Sequence, residues 1–62
     1  MSRHAYTARV YSGHAMTTHL TRGTTAGAAL TNLRRQLVGP WTRIEVGLGD
    51  GAEFRMLASQ DR

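Results

Sequence analysis

Residues 5–12 alternate, with Tyr6, Ala8 and Val10 on one side and Thr7, Arg9 and Tyr11 on the other, which is the period of a strand buried on one face. After the turn-forming run Ser12-Gly13-His14, residues 15–22 alternate again. Met16, Thr18 and Leu20 form the more apolar side of this second strand and are expected to face the core, opposite Thr17, His19 and Thr21. The two strands make a hairpin, and the threonine-rich second one suits a sheet edge. The period then lengthens to about 3.6, because Ala26, Leu30, Leu33 and Leu37 fall on one helical stripe. Thr24 or Thr25 can cap this helix by accepting a hydrogen bond from a free N–H of its first turn. Its end is marked by Gly39, suited to a left-handed closure, by Pro40, and by Arg34 and Arg35, whose charge complements the helix dipole. Gly27 weakens the first turn by up to about 1 kcal/mol against alanine, a cost that a close helix–sheet contact would explain.

Alternation returns over residues 41–48, with Thr42, Ile44, Val46 and Leu48 opposite Trp41, Arg43 and Glu45, and over residues 53–58, with Phe54, Met56 and Ala58 opposite Glu53, Arg55 and Leu57. Directly opposed residues share a face, so a two-residue Asp50-Gly51 loop would set Val46 against Arg55. A three-residue Gly49-Asp50-Gly51 loop with Gly51 left-handed sets Val46 against Phe54 and Ile44 against Met56, and pairs Glu45 with Arg55 outside. The expected fold class is therefore α+β: a four-stranded antiparallel sheet in the order β-β-α-β-β with one helix on one face. The expected core joins Tyr6, Val10, Met16 and Leu20 to Leu30, Leu33 and Leu37 of the helix and to Ile44, Val46, Leu48, Phe54 and Met56. The order of strands between the two hairpins stays open.

Length changes the picture next. A chain of 62 residues forms one small domain, 1–62, and buries only about 60% of the surface of its unfolded form. No cysteine is present to staple it, so packing or self-association must hold it, and unpaired edge strands leave a homodimer open. No apolar run is long enough to span a bilayer, and Met1-Ser2-Arg3-His4 leads into no signal-type segment. These features point away from a membrane and to a cytoplasmic protein.

Little catalytic chemistry is on offer. The serines Ser2, Ser12 and Ser59 lie near the ends or in a turn, and a single-helix domain has little room for a water-excluding pocket. The chain is thus expected to bind rather than catalyse, without a cofactor. His4, His14 and His19 match no metal-ligand spacing and read as surface residues. Gly47, Gly49 and Gly51 resemble a phosphate-cradling loop only superficially, because a strand follows them where such loops need a helix.

Charge is where binding enters. The eight basic residues are all arginine and outnumber Glu45, Asp50, Glu53 and Asp61, for a net charge of +4. Such an excess favours an anionic partner, although the absence of lysine is also what a GC-rich genome produces. On the sheet face left uncovered by the helix, Arg9, Tyr11, His19, Arg43 and Arg55 are expected to project together, with Trp41 at the start of its strand. Arginine beside aromatic residues is the composition of contact sites, because guanidinium groups pair with phosphate or carboxylate and rings add apolar area. Glu45 and Glu53 can instead neutralise Arg43 and Arg55, and Trp41 can fold over the helix end. Arg22, Arg34 and Arg35 form a second basic region near the helix C-terminus.

Two classes of function fit. A basic sheet with interleaved aromatics could bind DNA or RNA directly, by stacking bases and neutralising phosphates. Alternatively, a small rigid sheet could present its arginines and aromatics to a protein assembly. The β-β-α-β-β order, the basic surface, the Ala5-Tyr6 start and the stretch Thr42-Arg43-Ile44-Glu45 resemble the small anti-CRISPR proteins encoded by phages and mobile elements. That resemblance implies a stoichiometric inhibitor that binds a CRISPR–Cas effector complex and obstructs guide or target engagement, with contact to nucleic acid as well in basic members. It assigns no individual residue a role.

The surface reading of the histidines has a direct test: adding Zn²⁺ leaves the melting temperature unchanged, and a rise on titration would mean that His4, His14 or His19 ligates.

Overall fold

The computed structural model describes residues 3–62. Strands β1 (His4–Ser12) and β2 (Ala15–Gly23) are followed by helix α1 (Ala26–Gln36) and by strands β3 (Arg43–Leu48) and β4 (Arg55–Asp61). The four strands form one antiparallel sheet in the order β2-β1-β3-β4, with the helix on one face. The expected α+β class and element order hold, and the open question of strand order is answered: the two hairpins meet through β1 and β3. Since both β2 and β3 run antiparallel to β1, they are parallel to each other, and α1 is the crossover between them.

Loop length decides which side of β2 meets the helix. Gly13 has φ 62°, the conformation wanted at the first position of a two-residue type II′ hairpin loop. Gly13 and His14 alone form the loop, Ser12 stands opposite Ala15, and Tyr6, Ala8 and Val10 face Thr21, His19 and Thr17. The covered face of β2 is therefore its polar one. Met16, expected in the core, is paired with Tyr11 on the open face, and Leu20 is there too, 68% exposed. Apolar content misleads on this strand because the two-residue loop fixes its register. The only β2 side chain of this face that is deeply buried is Thr21, whose hydroxyl donates to the Ala29 carbonyl at 2.9 Å.

The helix starts where Thr25 Oγ1 accepts the N–H of Ala28 at 3.1 Å. It ends earlier than expected. Leu37 is already extended (φ −72°, ψ 132°), with its N–H on the Leu33 carbonyl at 3.1 Å. Gly39 (φ 99°) lies beyond the end and turns the connection toward β3 instead of closing the helix. The close helix–sheet contact is also displaced: Gly27 is exposed with nothing near it but Thr25, whereas a Cβ on Gly23 would stand 2.5 Å from the Ala29 nitrogen. Gly23 is the residue that lets α1 sit on the end of β2.

The core unites Tyr6, Ala8, Val10, Ile44 and Val46 of the sheet with Ala29, Leu30 and Leu33 of the helix, and Leu37 and Ala58 pack at its margin. Trp41 belongs to it as well, 8% exposed. Strand β3 begins only at Arg43, so the alternation that put Trp41 on the outer face does not extend to it. The ring fills the core from the helix–strand connection, and the Arg62 guanidinium lies 5.4 Å from its centre.

The second hairpin departs most from expectation. Instead of a three-residue loop, the connection from Gly49 to Phe54 carries a 3-10 turn (Gly51–Glu53), with Gly51 left-handed as anticipated (φ 55°). Leu48 then faces Arg55 and Gly47 faces Met56, while beyond a bulge Val46 faces Ala58 and Ile44 faces Gln60, which leaves Leu57 as the extra residue. The expected pairs Val46–Phe54, Ile44–Met56 and Glu45–Arg55 do not form. Leu48 and Met56, expected in the core, are each 49% exposed, and Phe54 is half-buried outside it. Any side chain on Gly47 would collide with the Arg55 carbonyl, so β4 can pass this close only at a glycine.

The two helix-entry glycines should respond oppositely to alanine. Gly23→Ala meets the backbone of Ala28 and Ala29, which cannot yield, and should destabilise by about 1–3 kcal/mol. Gly27→Ala has open space and should stabilise by about 0.5–1 kcal/mol in urea denaturation. Equal effects would place the tight contact elsewhere.

Candidate functional site

Register across β1, β3 and β4 lines up Tyr11, Arg43 and Asp61 in one row of the open face and Arg9, Glu45 and Ser59 in the next. Because opposed residues share a face, these side chains project on the same side. They form a single hydrogen-bonded centre around Arg43. Its Nε donates to Glu45 Oε2 at 3.1 Å, Nη1 donates to Asp61 Oδ1 at 2.7 Å, and Nη2 lies 3.6 Å from the Met56 sulfur. The Tyr11 hydroxyl donates to Glu45 Oε1 at 3.1 Å, so the Glu45 carboxylate is held from two sides. The bond to Asp61 first, and that to Glu45 next, raise the Arg43 pKa above its ordinary value. A raised arginine pKa stabilises the fold at every pH below the ordinary value, and that contribution is lost only as pH climbs through the raised one. Arg43 is therefore a fixed charge.

Arg9 is committed in a different way. Its guanidinium carbon lies 4.2 Å from the centre of the Phe54 ring, and its Nη2 donates to the Gly51 carbonyl at 2.8 Å. It fastens the β3–β4 connection down over the sheet and covers one face of the phenyl ring. The two central arginines stand against Glu45 and Asp61, so the middle of this face is close to neutral despite the net charge of the chain.

Around this centre the open face carries three large apolar side chains among Thr7, Thr18 and Ser59. Met16 is 46% exposed, and Leu20 and Met56 share the face by register, Met56 beside Arg43. These three were expected inside, and together with Phe54 and Asp61 they are the residues that alternation missed. A usable signal was the even-numbered Gly13-His14 loop, which places Tyr11 and Met16 on one face.

Of the residues proposed for this face, Arg9, Tyr11 and Arg43 are brought together. His19 is not: it lies opposite Ala8 on the helix side, with Nε2 2.8 Å from Thr17 Oγ1. Trp41 is in the core. Arg55 faces Leu48, on the side of Ile44 and Val46, because the longer loop shifts β4. The second basic region also divides. Arg22 and Arg35 line a groove together with Arg3, whereas Arg34 turns to β4 and donates to Gln60 Oε1 at 3.0 Å.

Among the described residues no three histidine, aspartate or glutamate side chains gather as a metal site would need. None of the described helices is long and apolar enough to cross a membrane. No family model matches the chain, and neither a curated protein nor a solved structure is significantly similar to it.

The Arg9–Phe54 contact can be measured. In a double-mutant cycle of Arg9→Gln and Phe54→Leu, unfolding should reveal a coupling of about 0.5–1 kcal/mol. A coupling near zero would mean that the guanidinium is free in solution.

Proposed function

We propose that this chain is a non-enzymatic binding protein that presents the open face of its sheet to a protein partner. The observation that carries this reading is the position of Met16, Leu20 and Met56, exposed around a centre whose charges are already satisfied by one another. Large apolar side chains grouped on one face of a domain this small favour an occupant that removes them from water. Thioethers adapt to an irregular partner surface, and a tyrosine and arginines held in place lose little freedom on docking. The composition is that of a protein–protein contact, where Met, Tyr and Arg are enriched and unpaired charge is depleted at the centre.

The same geometry speaks against stacking nucleic acid on this face. Arg9 already occupies one face of the Phe54 ring, the Tyr11 hydroxyl is tied to Glu45, and a phosphate would have to displace Asp61, Glu45 or the Gly51 carbonyl from its arginine. In its specific form the reading is that of an inhibitor inside the host cell. The partner is then a nucleic-acid-handling complex, a CRISPR–Cas effector as the resemblance implies, which the protein obstructs by occupying a surface needed for target engagement.

Purified protein should co-migrate with one of a panel of effector complexes and reduce its binding of target DNA. Met16→Glu with Met56→Glu should weaken that association by about 100-fold or more, as loss of a central contact does, with circular dichroism unchanged. Failure to bind any effector in the panel would overturn the inhibitor reading, and wild-type affinity of the double variant would overturn the choice of face.

A further inference from the structure

The arginine excess of the chain is concentrated away from the open-face centre. Between the end of β2 and the C-terminal half of α1 runs a groove of about 530 Å³, lined by Leu20, Thr21 and Arg22 of β2, by Asn32, Arg35 and Gln36 of α1, and by Arg3. Among the described residues no carboxylate lines it. All four acids lie on the other half of the sheet: Glu45 on β3, Asp50 and Glu53 in the β3–β4 connection, and Asp61 on β4. Among the described residues the ion pairs are those of Arg43, so Arg3, Arg22 and Arg35 carry their charge uncompensated.

The walls of this groove are anchored. Asn32 Nδ2 donates to the Arg22 carbonyl at 2.9 Å, Thr21 Oγ1 to the Ala29 carbonyl at 2.9 Å, and Gly23 brings β2 against α1. Two of the three arginines therefore stand on elements held in fixed relation, Arg22 on the open-face side of β2 by its register with Ala5 and Arg35 on α1, so the groove wraps around the β2 edge. The helix C-terminus contributes an opposing field equivalent to about half a negative charge, against three full guanidinium charges. The balance favours an anion.

We infer that this groove binds the phosphate backbone of a nucleic-acid strand. Guanidinium groups match phosphate oxygens two at a time, and several arginines spread along an open groove suit a chain of phosphates better than one compact anion. The volume falls within the range of about 300–1,000 Å³ typical of ligand sites. The exposed Leu20 side chain and the Gln36 amide offer an apolar and a polar contact for the sugar and base. The site uses none of the hydrogen-bonded residues of the Tyr11–Arg43 centre, but Leu20 borders both surfaces, so a protein seated over Leu20 would reach the rim of this groove.

Fluorescence anisotropy with a labelled 12-nucleotide oligothymidylate tests the assignment in the full chain. Three phosphate contacts predict a slope of about −2 in log K against log [salt]. Arg22→Gln with Arg35→Gln should weaken binding at 50 mM salt at least 10-fold and bring the slope toward about −0.7, the value for a single remaining contact. Arg34→Gln with Arg55→Gln removes the same charge outside the groove and should leave both nearly unchanged, with melting curves verifying that each variant is folded. Equal losses in the two double variants would assign the binding to diffuse net charge and overturn the site. Polyglutamate displacing the oligonucleotide at equal charge concentration would make the ligand an acidic protein segment instead, and no binding at 20 mM salt would overturn the inference outright.

Discussion

An α-helix is about 10–12 Å across, and four strands spaced about 4.8 Å apart make a wider sheet. With eleven residues, α1 is about 16 Å long, whereas the nine-residue strands β1 and β2 each extend about 30 Å. One helix of this size cannot cover one face fully, and it leaves the opposite face bare. It crosses from the end of β2, where Thr21 bonds Ala29, to β4, where Arg34 reaches Gln60. The rest of the molecule is arranged around what that helix leaves undone.

Trp41 supplies part of what is missing by folding from the connection into the core, with Arg62 over its ring. The open face solves its problem with charge rather than cover. Arg43 gathers Glu45, Asp61 and, through Glu45, Tyr11 into one network, while Arg9 clamps the β3–β4 connection through Phe54 and Gly51. These contacts use the arginines that the sequence offers most plainly as ligands for an outside anion. The chain thereby separates its two resources: an electrically quiet face with three large apolar side chains around the Arg43 centre, and uncompensated positive charge at the edge where β2 meets α1. On the readings proposed above, a protein would meet the first surface and a phosphate chain the second, with Leu20 at their border.

Local patterns were legible where they depend on neighbours in sequence. The Ala26–Leu37 stripe and the threonine cap describe α1 well, and the alternation of Tyr6, Ala8 and Val10 gives the right face of β1. The faces of β2 and β4 were not legible in the same way. On β2 the apolar residues are the outward ones, because the two-residue loop fixes the register and α1 meets the strand at Thr21 and Gly23 near its end. On β4 the 3-10 turn and the Leu57 bulge shift the pairing, so that Phe54 and Met56 leave the core and Glu45 finds Arg43 rather than Arg55. The short run before β3 misled for Trp41, since period-two reasoning holds only inside a strand.

By itself, the sequence determined the elements, their order, the α+β class and a surplus of arginine, because propensity, capping and periodicity act over a few residues. The tertiary structure alone decided which arginines are free. That outcome rests on pairings between residues up to 42 positions apart, such as Arg9 with Gly51, and on the exchange of partners that one bulge imposes. Whether a guanidinium awaits a ligand or already has one is a matter of a few ångströms across strands, and strand order and register set that distance.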